Sequence, residues 1–335
     1  MYSAINRRFR FSGAPTFFRK ETPRLKRIYL SENFDLARFA LAHWPHDNNT
    51  LDARFKWFRI SSNAVYPFDR EGQLCFLRMT PAEEKSAAHI RAELDFLAHL
   101  QQADYPALRP IPAGNGEYLL TLSTPWGIWH ACAFTGVPGK NLESIPLTAE
   151  ILLAYGSALG QLHRISMALA APPDRPSWQD ILTWCAPYLT EEYLRSECAA
   201  VADALAQLLR EQHTYGLVHY DFEPDNVFYD GTRCHAIDFD DCMLHFYAID
   251  LVQALDEIEP EYHVAFLQGY HAACPESGAR ESDFPLMRRF RDLYSLARLR
   301  HALSEIPSSQ PDWMPQLIDL LKEKARSLEE QILHR

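Results

Sequence analysis

His219-Tyr220-Asp221-Phe222-Glu223-Pro224-Asp225-Asn226 is followed, after eleven residues, by Asp238-Phe239-Asp240. Between them Val227–Tyr229 and Arg233–Ile237 flank Asp230-Gly231, a pair that favours the tight turn of a β-hairpin. The stretch therefore reads as strand (216–218), loop, hairpin, with a carboxylate, an amide oxygen and a second carboxylate at fixed places on that frame. Such hard oxygen ligands suit Mg²⁺ carrying phosphates. Asp221, on the loop after the strand, is placed to accept or orient a hydroxyl proton. Asn226 offers the metal a neutral oxygen, and Asp238, at the end of an apolar strand, can bridge metal to phosphate. His219 is expected to brace the loop. A lone Asp or Asn here would be read as a turn cap, so it is the complete set that carries the reading.

The rest of the chain sets bounds on that reading. With 335 residues, 47% of them hydrophobic, it can bury a core large enough for two lobes. No apolar run reaches the ~20 residues of a membrane span. The seven cysteines are scattered and form no Cys-x-x-Cys pair, which fits a reduced, cytoplasmic protein. The net charge of −11 conceals an asymmetry. Residues 1–30 hold eight Lys/Arg against one Glu, and the remainder holds 25 Lys/Arg against 43 Asp/Glu. An acidic body argues against nucleic acid as a partner and favours cationic small molecules. The basic arm is expected to dock on that body, with organelle targeting or a partner contact as the other readings.

Periodicity places a helix at 32–43 and three strands at 55–61, 64–69 and 73–79. Thr80, Pro81 and Glu83 predict a capped helix running to about Gln101, with Ile90, Leu94, Leu97 and Leu100 inward. Two further strands fall near 117–123 and 128–134, and Gly136-Val137-Pro138-Gly139 reads as a connector. Helical patterns then dominate, at 148–166, 177–194, 199–214, 246–258, 260–273, 284–305 and 312–333. The expectation is an α+β, bilobal, protein-kinase-like fold with three parts. These are a basic arm (1–30), a five-stranded antiparallel N-lobe with one helix (31–135), and a mainly helical C-lobe carrying the loop and hairpin (136–335).

With His219-x-Asp221-x-x-x-x-Asn226 and Ile237-Asp238-Phe239 both in place, the chain resembles the aminoglycoside phosphotransferase/choline kinase family of small-molecule kinases. The resemblance covers roughly residues 32–305 and is strongest over 216–251. It implies Asp221 as catalytic base, Asn226 and Asp238 as metal ligands, and ATP (GTP being the other candidate) with Mg²⁺ as cofactors. Tyr220 stands where the family often has glycine or asparagine, and its bulk is expected to shape the substrate side. The family's cation on the third strand is matched by Arg78, and the helix residue that holds it by Glu93. Lysine is the commoner cation, and arginine is no simple equivalent, although it can clamp a phosphate through two N–H groups. Lys56 and Lys85 are the alternative phosphate contacts. Instead of a Gly-x-Gly-x-x-Gly loop there is Ser61-Ser62-Asn63. Ser62 and Asn63 are expected to contact phosphate, a plain hairpin turn being the other reading. The connector, 132–137, would meet the adenine edge. Asp250 is read as capping a helix and bracing the catalytic loop, and His163 as a packed histidine bonded to backbone. Asp240 is placed near substrate or a second metal, with Asp241 open to the same reading and a cap on the next turn as the alternative for either.

Only eleven residues separate Asp238 from Asp250, and no Ala-Pro-Glu follows, so a platform for peptide substrates is missing. The expected partner is a small-molecule hydroxyl acceptor, amine-bearing or aminoglycoside-like, with neither nucleic acid nor membrane. Trp178, Trp184, Tyr188, Glu191 and Glu192 could receive its amine, or could simply pack as a helical hairpin. The alternatives are a non-catalytic nucleotide-binding or regulatory module and a kinase of protein side chains.

Overall fold

The computed structural model describes residues 30, 34–60, 63–169, 174–306, 312 and 314–335. Ser62 and nearly all of the basic arm lie outside the described residues. The first half contains α1 (Asp35–Leu41), α2 (Leu51–Phe55), β1 (Arg59–Ile60), β2 (Ala64–Arg70), β3 (Gln73–Pro81), α3 (Ala87–Gln102), β4 (Arg109–Ile111), β5 (Leu120–Thr124) and β6 (Gly127–Thr135). Among the described residues these strands form one antiparallel six-stranded sheet, ordered β1-β2-β3-β6-β4, with β5 also on β6. Glu71 and Gly72, both at positive φ, make the two-residue β2–β3 turn.

Strand alternation gives this sheet two different faces. Tyr66, Phe68, Leu77, Met79, Ala131 and Ala133 bury one face with Trp44 and Phe55 of the α1–α2 region. Cys132 and Phe134, on the other face, join Ile90, Leu94, Leu97 and Leu100 of α3 in a second core that continues into the helical half. That half contains β7 (Lys140–Asn141), α4 (Ala149–Met167), α5 (Trp178–Cys185), α6 (Glu192–Gln207), β8 (Tyr215–Val218), β9 (Val227–Tyr229), β10 (Cys234–Ala236), β11 (Met243–Phe246), α7 (Ala248–Asp256), α8 (His263–Ala273), α9 (Phe284–Ser304) and α10 (Met314–Leu333). Strands β10-β9-β7 make a small sheet, and β11 pairs with β8. Residues 215–236 are thus carried by β8, a loop and the β9–β10 hairpin.

Four sequence expectations are corrected. The N-lobe sheet has a sixth strand, β4, hidden by Pro110; on a strand at the edge of the sheet the missing N–H costs little. Thr80 and Pro81 do not begin a helix. They extend β3, pairing with His130 and Trp129, and the helix starts later, where the Ser86 side chain accepts from the His89 N–H. Phe55 ends a short helix rather than opening a strand, because its ring is fully buried beside Phe34 and Tyr66. The break between the two helices after residue 177 falls at Ala186–Glu191, where Pro187 sits in a tight 3₁₀ turn.

Candidate active site

The loop at 219–226 is held from beneath by Asp250. One carboxylate oxygen accepts from the His219 N–H (2.8 Å) and the other from the Tyr220 N–H (2.7 Å). Asp250 therefore braces the loop as expected but caps no helix; α7 begins at Ala248, two residues earlier. His163 bonds to side chains rather than backbone. Its Nε2 lies 3.0 Å from Asp250 Oδ2 and its Nδ1 2.9 Å from the Tyr270 hydroxyl. Further anchors are the Tyr155 hydroxyl, donating to Phe222 O (2.6 Å), and Gln253 Nε2, donating to Tyr220 O (2.7 Å).

His219 joins the loop to the strand that ends at Asp238. Nδ1 accepts from the Asp221 N–H (3.2 Å), which requires Nε2 to carry the proton it donates to Ile237 O (2.9 Å). Burial lowers the His219 pKa, in keeping with a neutral ring. It positions Asp221 and Asp238 relative to one another.

Asn226 turns its amide N–H toward Asp221, donating to Oδ2 (2.7 Å) and to the backbone O (3.1 Å). Its Oδ1 is buried without a protein partner, and so is available to a cation. Burial, then the carboxylates of Asp225, Asp238 and Asp241, hold the Asp221 pKa well above the usual range, while Arg298 pulls the other way. Burial and the neighbouring Asp240 push Asp238 up to about 6. Among the described residues no cluster of three or more His, Cys, Asp or Glu is poised for a metal. A Mg²⁺ ion bound through an amide, one carboxylate and phosphates needs no such cage.

Arg78 and Glu93 form the expected pair, a buried fork with Nη1–Oε1 at 2.8 Å and Nη2–Oε2 at 2.6 Å. The Arg78 guanidinium also lies over the Phe134 ring, 5.0 Å from its centroid. Asp240 is buried on the cationic side of the site. Its carboxylate contacts Lys85, accepts from Asn63 Nδ2 (2.8 Å) and lies 3.9 Å from Arg78 Nη1. Burial alone would raise its pKa, but Lys85 and Arg78 hold it far below the carboxylate range. Asn63 is fixed from its other end by the Thr80 hydroxyl (2.6 Å). Asp241 is bound by Arg298 (2.8 Å) on α9.

Lys85, Arg175 and Arg298 complete this charge lattice. Arg175 donates to the backbone oxygens of Asp240 (3.0 Å) and Cys242. Arg298 had a weak sequence signal. With Phe290 and Tyr294 it makes an i, i+4, i+8 stripe on α9, and Tyr220 packs on that stripe, 5.4 Å from Tyr294 between ring centroids. The Trp184 and Tyr188 rings lie 5.0 Å apart, tilted by 43°, and reach Tyr294 and His301. Trp178, in contrast, is buried beneath Arg210, and Glu191 is bound by Arg300 (2.7 and 3.0 Å).

Residues 60–281 match the model of the phosphotransferase enzyme family, and the chain belongs to that family. It is 28% identical over 272 residues to a homoserine kinase of Methylobacillus flagellatus, covering 76% of this chain and 79% of that one. To the amicoumacin kinase of Bacillus subtilis it is 23% identical over 198 residues, 57% of this chain and 59% of that protein, less than two thirds of its length. A solved amicoumacin kinase carrying AMP-PNP and Ca²⁺ superposes with a TM-score of 0.72 at 17% identity, over 91% of this chain and 96% of that one. A microcompartment-associated aminopropanol kinase does so at 0.61 and 21% identity, over 90% and 98%. These likenesses show the bilobal protein-kinase-like fold.

Proposed function

We propose that this protein transfers the γ-phosphate of ATP to a hydroxyl of a small, amine-bearing or aminoglycoside-like acceptor. The observation that carries the reading is the unpartnered, buried Asn226 Oδ1 on the same loop–hairpin frame as Asp238. A neutral oxygen and a carboxylate fit Mg²⁺ bound to a nucleotide, with Asn226 and Asp238 as its holders. When bound, the ion neutralises phosphate charge. Residues 31–135 would then form the nucleotide lobe, with Arg78, oriented by Glu93, and Asn63 facing phosphate. Residues 136–335 would form the acceptor lobe.

Asp221 accepts the hydroxyl proton. Burial and like charges make its carboxylate a stronger base than one in water, and Asn226 Nδ2 fixes its orientation. The acceptor side is suggested by continuity: Tyr220 follows the catalytic loop to Tyr294, and Tyr294 leads to Trp184 and Tyr188. The Arg298 guanidinium already lies over the Tyr294 ring, 5.5 Å from its centroid, so the aromatic faces left to suit an ammonium group are those of Trp184 and Tyr188. The relatives named for homoserine and aminopropanol kinases are consistent with an amino-alcohol acceptor.

The test is an ATP-consumption screen with Mg²⁺ over amino alcohols, hydroxy amino acids and aminoglycosides. Acceptor-dependent ADP release with an amine-bearing compound is the expected result. Turnover confined to uncharged polyols would reject the amine, and none with any acceptor would reject the transferase reading.

A further inference from the structure

A cavity of about 210 Å³ lies behind the connector, lined by Pro106, Arg109, Thr135, Val137, Arg233 and His235 among others. It is not the nucleotide cleft. Phe76 pairs with Phe134 and Arg78 with Cys132 across the β3–β6 ladder, so these four share one face. Thr135 pairs with Arg109 one residue out of step, so those two belong to the opposite face. The wall is completed by the α3–β4 loop and by β10.

The lining is basic in a molecule whose body is strongly acidic. The Arg233 guanidinium lies 3.5 Å from Asp104, in an exposed pair of the kind that contributes little. His235 is buried, with Nε2 2.7 Å from Asp230. Arg109 is exposed on the rim. Arg109 and Arg233 both line this cavity, and a guanidinium fork matches the planar, bidentate chemistry of a carboxylate or phosphate.

An occupant would touch three elements that the active site depends on. The α3–β4 loop is stitched to β10, with the Ala236 N–H donating to Pro106 O (2.9 Å) and the Leu108 N–H to Ala236 O (3.2 Å). Helix α3 carries Glu93, β10 leads into Asp238, and Thr135 opens the connector.

We propose that this cavity is a second ligand site, for a small metabolite bearing carboxylates or a phosphate clamped between Arg109 and Arg233. The inference does not rest on the transferase reading, and its test needs no turnover. Citrate and inorganic phosphate are titrated calorimetrically into the full chain, with hydrogen–deuterium exchange read in parallel. At least one probe should bind saturably at millimolar concentration and protect residues 104–109 and 133–138. Binding should weaken at least ten-fold in the Arg109→Ala/Arg233→Ala double variant; both side chains are exposed, so circular dichroism should be unchanged. The preferred probe distinguishes a carboxylate from a phosphate ligand. Absence of saturable binding by either probe, equal binding by the double variant, or protection confined to the segments around Arg78 and Asp238 would overturn the proposal.

Discussion

Two residues of the site occupy left-handed backbone, Tyr220 at φ 68°, whose bulky ring disfavours it, and Asp238 at φ 62°, a residue type that tolerates it better. Each costs about 1–3 kcal/mol and must be held by its surroundings. Asp250 holds the first through the Tyr220 N–H, and His219 ties down the carbonyl just before the second. Asp238 also pays in electrostatics. Its carboxyl rises from an ordinary 3.8 to about 6, so between those values the folded state binds more protons than the unfolded. The stability of the ligand-free protein therefore falls as pH rises through that window, and the penalty is complete above it. Asp238→Asn removes the charge while keeping a residue that tolerates positive φ. It should stabilise the protein at pH 8 by on the order of 2 kcal/mol, and by almost nothing at pH 4. Urea denaturation at the two pH values checks this, and an equal effect at both would show that the charge is not the cause. Glu93→Ala should act in the other direction. It strips the Arg78 guanidinium of its fork and should cost about 3–5 kcal/mol in the same assay. Asp221, Asn226 and Asp238 were legible in the sequence because they sit a few residues apart on one loop and hairpin. Lys85 stood only as an alternative phosphate contact, and Arg298 left only the weak signal of its helical stripe, since their partners, Asp240 and Asp241, lie 155 and 57 positions away.

At the scale of elements, the loop is only as firm as the crossing of α4 and α8. A Cβ on Gly156 would lie 1.9 Å from Phe266 O, and one on Gly269 would lie 2.1 Å from Leu153 O. The two backbones thus approach without side chains between them. The crossing brings Tyr155 and His163 of α4 and Tyr270 of α8 to the floor of the catalytic loop. Gly156→Ala should force the helices apart and destabilise by about 2–3 kcal/mol in chemical denaturation. A neutral outcome would mean that the crossing yields easily and is not the support described. Periodicity found the longer helices, because their apolar stripes persist for several turns, but not the five-residue α2. It missed β4 and β11, which are three and four residues long, and it misread Thr80-Pro81. There the local capping signal was genuine in form, but pairing with β6 prevailed over it.

For the whole molecule, the sheet has one face sealed by its own core and the other joined through α3 to the helical half. Across that join Arg78 and Lys85 meet Asp240. The proposed function makes this join a phosphotransferase cleft in which Asp221 handles the acceptor's proton while Asn226 and Asp238 hold the metal–nucleotide. The most direct test compares Asp221→Asn with the wild type in two measurements, nucleotide affinity by calorimetry with Mg²⁺ and phosphate transfer to the acceptor found by screening. Unchanged nucleotide affinity with transfer slowed on the order of 10²–10⁴-fold is the expected result. Transfer at the wild-type rate, or a loss of nucleotide binding that accounts for the whole defect, would contradict it.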